Sequence, residues 1–279
     1  MKNLFVLLSV CMIVVIILTS LPGCGVKSLD STATTSQIPS TASSDELIAA
    51  SSNFVVPDWF TDYPSIIKEY QNFIDYLINH NADIENALDN NIFNAPTSDS
   101  TLSYHWGCMQ SEANLHIYYN KETPNVYYSQ PISDIKNAFG YAIKDINGDG
   151  SSELILLFQD YTVFAVFSTV NGKPNLLDAF WSRHRCNIDA TGLLYVYSSG
   201  GASDWDYTTY QISQDDSQLL QVEKYGIESD SGAGSTVHYY KVINDEKQTI
   251  SEAEFTEYTT KFSAISTKDA GLTFTPLFN

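Results

Sequence analysis

Apolar residues change their spacing partway along this chain, and the change predicts where helices give way to strands. Over residues 59–90, Ile66, Ile67, Tyr70, Phe73, Ile74 and Leu77 recur three and four apart, which lines one face of a helix. Pro64 suits the first turn, where its missing N–H costs nothing. Residues 79–81 end that pattern, 83–88 read as a second short helix, and 95–103 read as a loop. From Asn114 onward, short runs of β-branched and aromatic residues alternate with turns. The predicted strands cover 115–119, 126–129, 141–146, 153–158, 162–170, 176–181, 193–197, 205–212, 219–225 and 236–243. Asn171-Gly172 is a strong hairpin signal, and 189–192, Gly200-Gly201, Asp215-Asp216 and Asn244-Asp245 supply further turns. Together these runs predict a long antiparallel meander. Ser251 and Glu254 have the spacing of a capping box, ahead of a helix with Phe255, Tyr258 and Phe262 on one face. The expected class is α+β: an antiparallel β-meander sheet flanked by an N-terminal helical segment and a C-terminal helix. No unit repeats at a fixed period, which argues against a complete propeller.

The N-terminus follows a different grammar. Lys2 precedes an apolar run over residues 4–18, which then passes into Leu21-Pro22-Gly23-Cys24. A bilayer span needs ~20 apolar residues, so this run is short for an uncleaved anchor, the competing reading. With Leu at −3, Gly at −1 and Cys at +1, the segment resembles the lipobox of a bacterial lipoprotein precursor, with Pro22 at −2 as its departure. The resemblance implies removal of residues 1–23 as a signal peptide. It also implies acylation of Cys24, with diacylglycerol and palmitate-type chains holding the protein on the outer face of the cell membrane. Cysteine suits that role because its thiolate is a strong nucleophile, and two or more chains anchor stably where one does not. Residues 24–52, rich in Ser, Thr and Ala, have little to bury and read as a flexible tether. Residues 53–279 then form a single extracytoplasmic domain.

Charge narrows the partners. The chain carries 33 acidic and 14 basic residues, a net charge of −19, and loss of Lys2 with the signal makes it one unit more negative. Such a field opposes phosphate backbones, so no nucleic-acid partner is expected. Beyond the signal and the acylated Cys24 only Cys108 and Cys186 remain, an even count that permits one disulfide or two buried thiols.

The clearest chemistry lies at residues 145–154, Asp-Ile-Asn-Gly-Asp-Gly-Ser-Ser-Glu-Leu. Calcium takes several hard oxygens from a tight turn. Asp145, Asn147 and Asp149 fall at positions 1, 3 and 5, Gly150 permits the bend, Ser151 offers a carbonyl and Glu153 completes the set. Position 12 is Leu156 inside an apolar run, which excludes an ordinary EF-hand. The loop resembles instead the D-x-[DN]-x-D-G-x-x-[DE]-L turns of FG-GAP and VCBS modules. It also resembles a group of lipoproteins from monoderm bacteria with one such loop, an apolar strand and an N-G-K hairpin; the matching stretch is 141–173. That resemblance implies a structural Ca2+ ion. A metal-free Asx-type turn is the simpler alternative, since Asn, Asp and Gly favour turns on their own account.

No catalytic set is legible. His80, His105, His116, His184 and His238 sit in no metal or nucleophile motif, and His184 lies between Arg183 and Arg185, read as one strand face. Asp204, Trp205, Asp206 and Tyr207 form the most site-like stretch, a ligand surface with two carboxylates and two stacking rings. The expected function is a lipid-anchored, non-enzymatic binding or envelope-associated module with a structural calcium loop. The alternatives are a cell-wall or glycan hydrolase using Asp204 and Asp206, and an envelope scaffold that would expose an apolar patch.

Overall fold

The computed structural model describes residues 60–80, 93–122, 132–201, 204–230 and 236–278. The chain separates into two units, Met1–Ser52 and Asn53–Asn279, and every described residue belongs to the second. The lipobox, the tether and the predicted segments at 83–88 and 126–129 lie outside the described residues. Among the described residues no helix is long and apolar enough to cross a membrane.

Helix α1 (Tyr63–Asn79) begins inside the predicted helical segment and carries Pro64 in its first turn, as predicted. Asp62 accepts from the Ser65 N–H, and the Ser65 side chain caps the Asp62 N–H in return. Helix α2 (Ser100–Glu122) corrects two predictions: residues 115–119 are helix, not strand, and the loop over 95–103 ends where α2 begins. Asp99 caps it by accepting from the N–H groups of Thr101 and Leu102. The strand-like run Leu-His-Ile-Tyr-Tyr concealed this helix, because it buries polar Gln110, Glu112, Asn114 and His116 beside Trp106, Met109 and Ala113. Tertiary packing overrides propensity there.

The predicted meander is correct in sense but divides into two sheets, both antiparallel. The first contains β1 (Phe139–Lys144), β2 (Glu153–Phe158), β3 (Val163–Val170), β4 (Lys173–Ala179) and the short β11 (Thr275–Pro276), in the order β11-β1-β2-β3-β4. The second contains β5 (His184–Ile188), β6 (Leu194–Gly201), β7 (Asp204–Ile212), β8 (Leu219–Ser229), β9 (Val237–Ile243) and β10 (Glu246–Thr249), in chain order. A tight turn closed by reciprocal Trp181–His184 backbone hydrogen bonds separates them. A one-turn helix, α3 (Ile135–Ala138), leads into β1, and α4 (Glu252–Ser263) follows β10.

Side-chain alternation explains the layering. In β2, Leu154, Leu156 and Phe158 face α1 and α2, while Ile155 and Leu157 face the second sheet. Both faces of the first sheet are therefore covered, so β2 reads as an unbroken apolar run. The second sheet contributes Ile188, Leu194, Val196 and Ile212 to the shared core. Its outer face is tyrosine-rich and lies under α4. Tyr225 stacks on Tyr258 at 3.7 Å, and Tyr207 meets Phe262 edge-on at 4.9 Å. The layers thus run helix, sheet, sheet, helix. Half of the predicted capping box forms: Ser251 accepts from the Glu254 N–H, while the Glu254 carboxylate pairs with Lys241 at 2.8 Å.

Candidate metal centres

The Asp-rich loop joins β1 to β2. Gly148 and Gly150 adopt left-handed backbone (φ +78° and +95°), which a side chain would strain. Asp145 accepts from the N–H groups of Gly148 (2.6 Å) and Gly150 (3.0 Å), so its carboxylate braces the turn. Asn147 accepts from the Asp149 N–H and donates to carboxylate oxygens of Asp149 and Asp216, each at 3.1 Å. The Ser151 N–H donates to Asp149 at 2.7 Å and holds that carboxyl below its ordinary range.

Glu153, the first residue of β2, is fully buried. One of its oxygens accepts from the Ile146 N–H at 2.8 Å, and the other, Oε1, has no hydrogen-bond partner among the described residues. Burial raises its pKa to about 7, and the charges of Asp216, Asp149 and Asp145 act in the same direction. An unpartnered buried carboxylate oxygen costs on the order of 1–3 kcal/mol unless something supplies charge.

Three of these acids converge. Asp149, Glu153 and Asp216 each place a carboxylate oxygen within 4.8 Å of the others. Asp216 lies in the β7–β8 turn of the second sheet, and its carboxyl is raised by burial and by the charge of Asp149. Its backbone carbonyl accepts from the Ser168 hydroxyl and the Asn175 amide, which ties that turn to β3 and β4. Another turn of the second sheet closes on the loop at Gly192, where a Cβ would lie 1.7 Å from the Ile146 carbonyl oxygen. The structure therefore joins Asp149 and Glu153 with Asp216, which the motif did not include. Asp145 and Asn147 are occupied in building the turn, and Ser151 contributes its N–H. Oxygen donors with one buried oxygen left over fit a hard cation such as Ca2+. Asp149, Glu153 and Asp216 would hold it, and the ion would offset most of the charge of three adjacent acids.

Asp204, Trp205, Asp206 and Tyr207 open β7 and divide between its two faces. Tyr207 packs against Phe255 and Phe262 of α4. Asp206 faces the other way, pairs with Lys224 at 2.9 Å and accepts from the Thr208 hydroxyl. The two aspartates share a face, but a cleft of about 240 Å³ lined by Glu112, Trp181, Ser182, Arg185 and Cys186 includes neither.

A second cluster had no sequence signal. Asp178, inward-facing near the end of β4, accepts from His105 Nδ1 of α2 at 2.6 Å and from His184 Nε2 of β5 at 2.8 Å. The Ala179 N–H adds a third hydrogen bond, and His184 Nδ1 lies 2.8 Å from the Ser198 hydroxyl of β6. Burial pushes Asp178 up, but the hydrogen bonds from His105 and His184 outweigh it and leave the carboxyl below its ordinary range. Trp181 packs against both imidazoles, with centroids 5.0 and 4.9 Å away. The predicted basic face divides: His184 points inward, whereas Arg185 points outward over the Tyr197 ring. Cys108 and Cys186 are both buried free thiols, so the permitted disulfide is not formed.

No protein-family model and no curated protein matches this chain. Among solved structures, a Xanthomonas protein described as related to a type IV secretion system is similar over 40% of this chain and 58% of its own length. The identity is 14% and the TM-score 0.20, a likeness too slight to carry an argument about fold or function.

Proposed function

We propose that this chain is a lipid-anchored extracytoplasmic protein whose domain is held together by a calcium ion and acts as a non-enzymatic binding or envelope-associated module. Cys24 carries the lipid, residues 24–52 tether the domain, and Asp149, Glu153 and Asp216 hold the ion. The observation that best supports the calcium reading is the buried, unpartnered Glu153 Oε1 beside two further carboxylates. The ligands come from the β1–β2 loop and the β7–β8 turn, so the ion would staple one sheet to the other. A stapling ion accounts for three carboxylates gathered where the loop meets the second sheet.

A thermal melt of the full chain in detergent, with calcium and with chelator, tests this. Calcium at about 100 times its Kd should stabilise by ~2.7 kcal/mol, because it binds only the folded state. Asp149→Ala should lose the shift, and an equal melting temperature in calcium and chelator would refute the calcium site. The anchor is tested separately: Cys24→Ala should abolish incorporation of labelled palmitate and move the protein out of the membrane fraction. Unchanged labelling would refute lipidation at Cys24.

A further inference from the structure

We propose that His105, Asp178 and His184 form a second metal site, for a divalent first-row transition ion of which Zn2+ is the best fit. The three residues come from α2, β4 and β5, and one donor atom from each lies within 4.8 Å of the other two. Two imidazole nitrogens and one carboxylate oxygen suit zinc better than calcium, which prefers oxygen alone. The site therefore differs in chemistry from the acidic cluster and does not depend on it.

The geometry needs little adjustment. Zinc bonds of about 2.0–2.2 Å separate tetrahedral ligands by roughly 3.3 Å. The nitrogens now lie 2.6 and 2.8 Å from the two different oxygens of Asp178, so an ion enters if these contacts open by roughly 0.5–0.7 Å. Asp178, His184 and His105 have side-chain exposures of 10%, 11% and 17%, enough shielding to exclude most water while His105 stays reachable.

Proton placement also permits it. Each imidazole now faces Asp178 through a nitrogen that donates a hydrogen bond. To ligate, that nitrogen must give up its hydrogen while the ring keeps one on its other nitrogen. For His184 the other nitrogen, Nδ1, faces the Ser198 hydroxyl, which donates in one rotamer and accepts in the other. The proton passes from Nε2 to Nδ1, the hydroxyl turns, and no net charge appears. For His105 the other nitrogen is Nε2, on a side chain that is 17% exposed. A hydrogen bond to the remote nitrogen of a ligating histidine is the usual support of such a site. Three protein ligands leave a coordination position for water or for an oxygen of a bound molecule.

The test uses the full chain in detergent, without a polyhistidine tag, stripped with chelator and titrated with Zn2+ and with Co2+. We expect one equivalent of each, with the visible bands of four-coordinate cobalt, displaced by zinc. His105→Gln keeps an N–H donor for Asp178 but lacks the imidazole, so it should remain folded by circular dichroism and lose the bands. His184→Gln should do the same. Ser198→Ala should weaken binding about tenfold or more, and Asp149→Ala should leave it unchanged. Absence of stoichiometric cobalt or zinc in the wild-type chain would overturn the proposal, as would full binding by both histidine variants. Either result would make the cluster a hydrogen-bonded clamp.

Discussion

The two carboxylate-centred clusters differ in how well their partners satisfy them. At Asp178 every carboxylate hydrogen bond has a donor: His105, His184 and the Ala179 N–H. At Glu153 one buried oxygen has none, and the neighbours are acids of the same sign. Both carboxyls are buried, so the difference lies in the company each keeps. Burial pushes a carboxyl toward its neutral form, whereas donors and positive charge stabilise the anion. The pKa of Asp178 falls and that of Glu153 rises. The Asp178 cluster is satisfied by its own hydrogen bonds. The Glu153 cluster is incomplete until a proton or a cation arrives.

Substitution should expose the contrast most strongly. Asp178→Ala leaves two imidazoles and a backbone N–H without their acceptor, at about 1–3 kcal/mol for each group left unsatisfied. We expect a loss of about 3 kcal/mol, or roughly 6–12 °C in Tm for a domain of this size. A melt within 2 °C of wild type would mean that the clamp contributes little. Glu153→Gln should act in the opposite sense in chelator, leaving stability unchanged or raising it by about 1 kcal/mol, because it removes a buried carboxylate that lacks a full set of partners. It should also abolish the calcium-dependent shift. A large loss of stability in chelator would show that the Glu153 anion is already satisfied.

The pH dependence should then separate the clusters by sign. Glu153 has a folded pKa of about 7, above its ordinary value of 4.5. Its contribution is fully present below the unfolded value and is lost as pH rises through about 7. Asp178 is depressed, so its contribution is present above its unfolded value and is lost as pH falls through the folded one. Melts in chelator should therefore decline on both the acidic and the near-neutral side, and calcium should remove the near-neutral decline alone. A near-neutral decline that persists in saturating calcium would separate Glu153 from the cation site. The smallest effect belongs to Asp204→Asn, an exposed position outside both clusters, where less than about 0.5 kcal/mol is expected. A loss above 1 kcal/mol in denaturant melts would show that Asp204 makes stabilising contacts in the folded chain.

How far the sequence carried depends on the residue. Pro64, the 66–77 stripe and the Asn171-Gly172 turn were legible because their information is local: a fixed φ, a helical period and a left-handed pair. Asn171 and Gly172 do take positive φ. Helix α2 was not legible, because its buried face is polar and its apolar run imitates a strand. The Asp-rich loop was legible as a turn, since Gly148 and Gly150 must be small and Asp145 must accept their N–H groups. Which residues meet there was not. Asp216 looked like part of a distant turn, and only the approach of the second sheet brings it beside Asp149.

The sequence by itself determined the α+β class, most of the strands, the acidic balance and the turn that opens the first cluster. Each of these follows from neighbours within a few residues, where backbone preference and side-chain period act directly. The tertiary structure alone decided that the meander breaks into two sheets after β4 and that β2 is covered on both faces. It alone decided that His105, Asp178 and His184, spread over 80 positions of chain, share one hydrogen-bonded cluster. Contacts of that kind depend on how whole layers stack, and no local spacing encodes them.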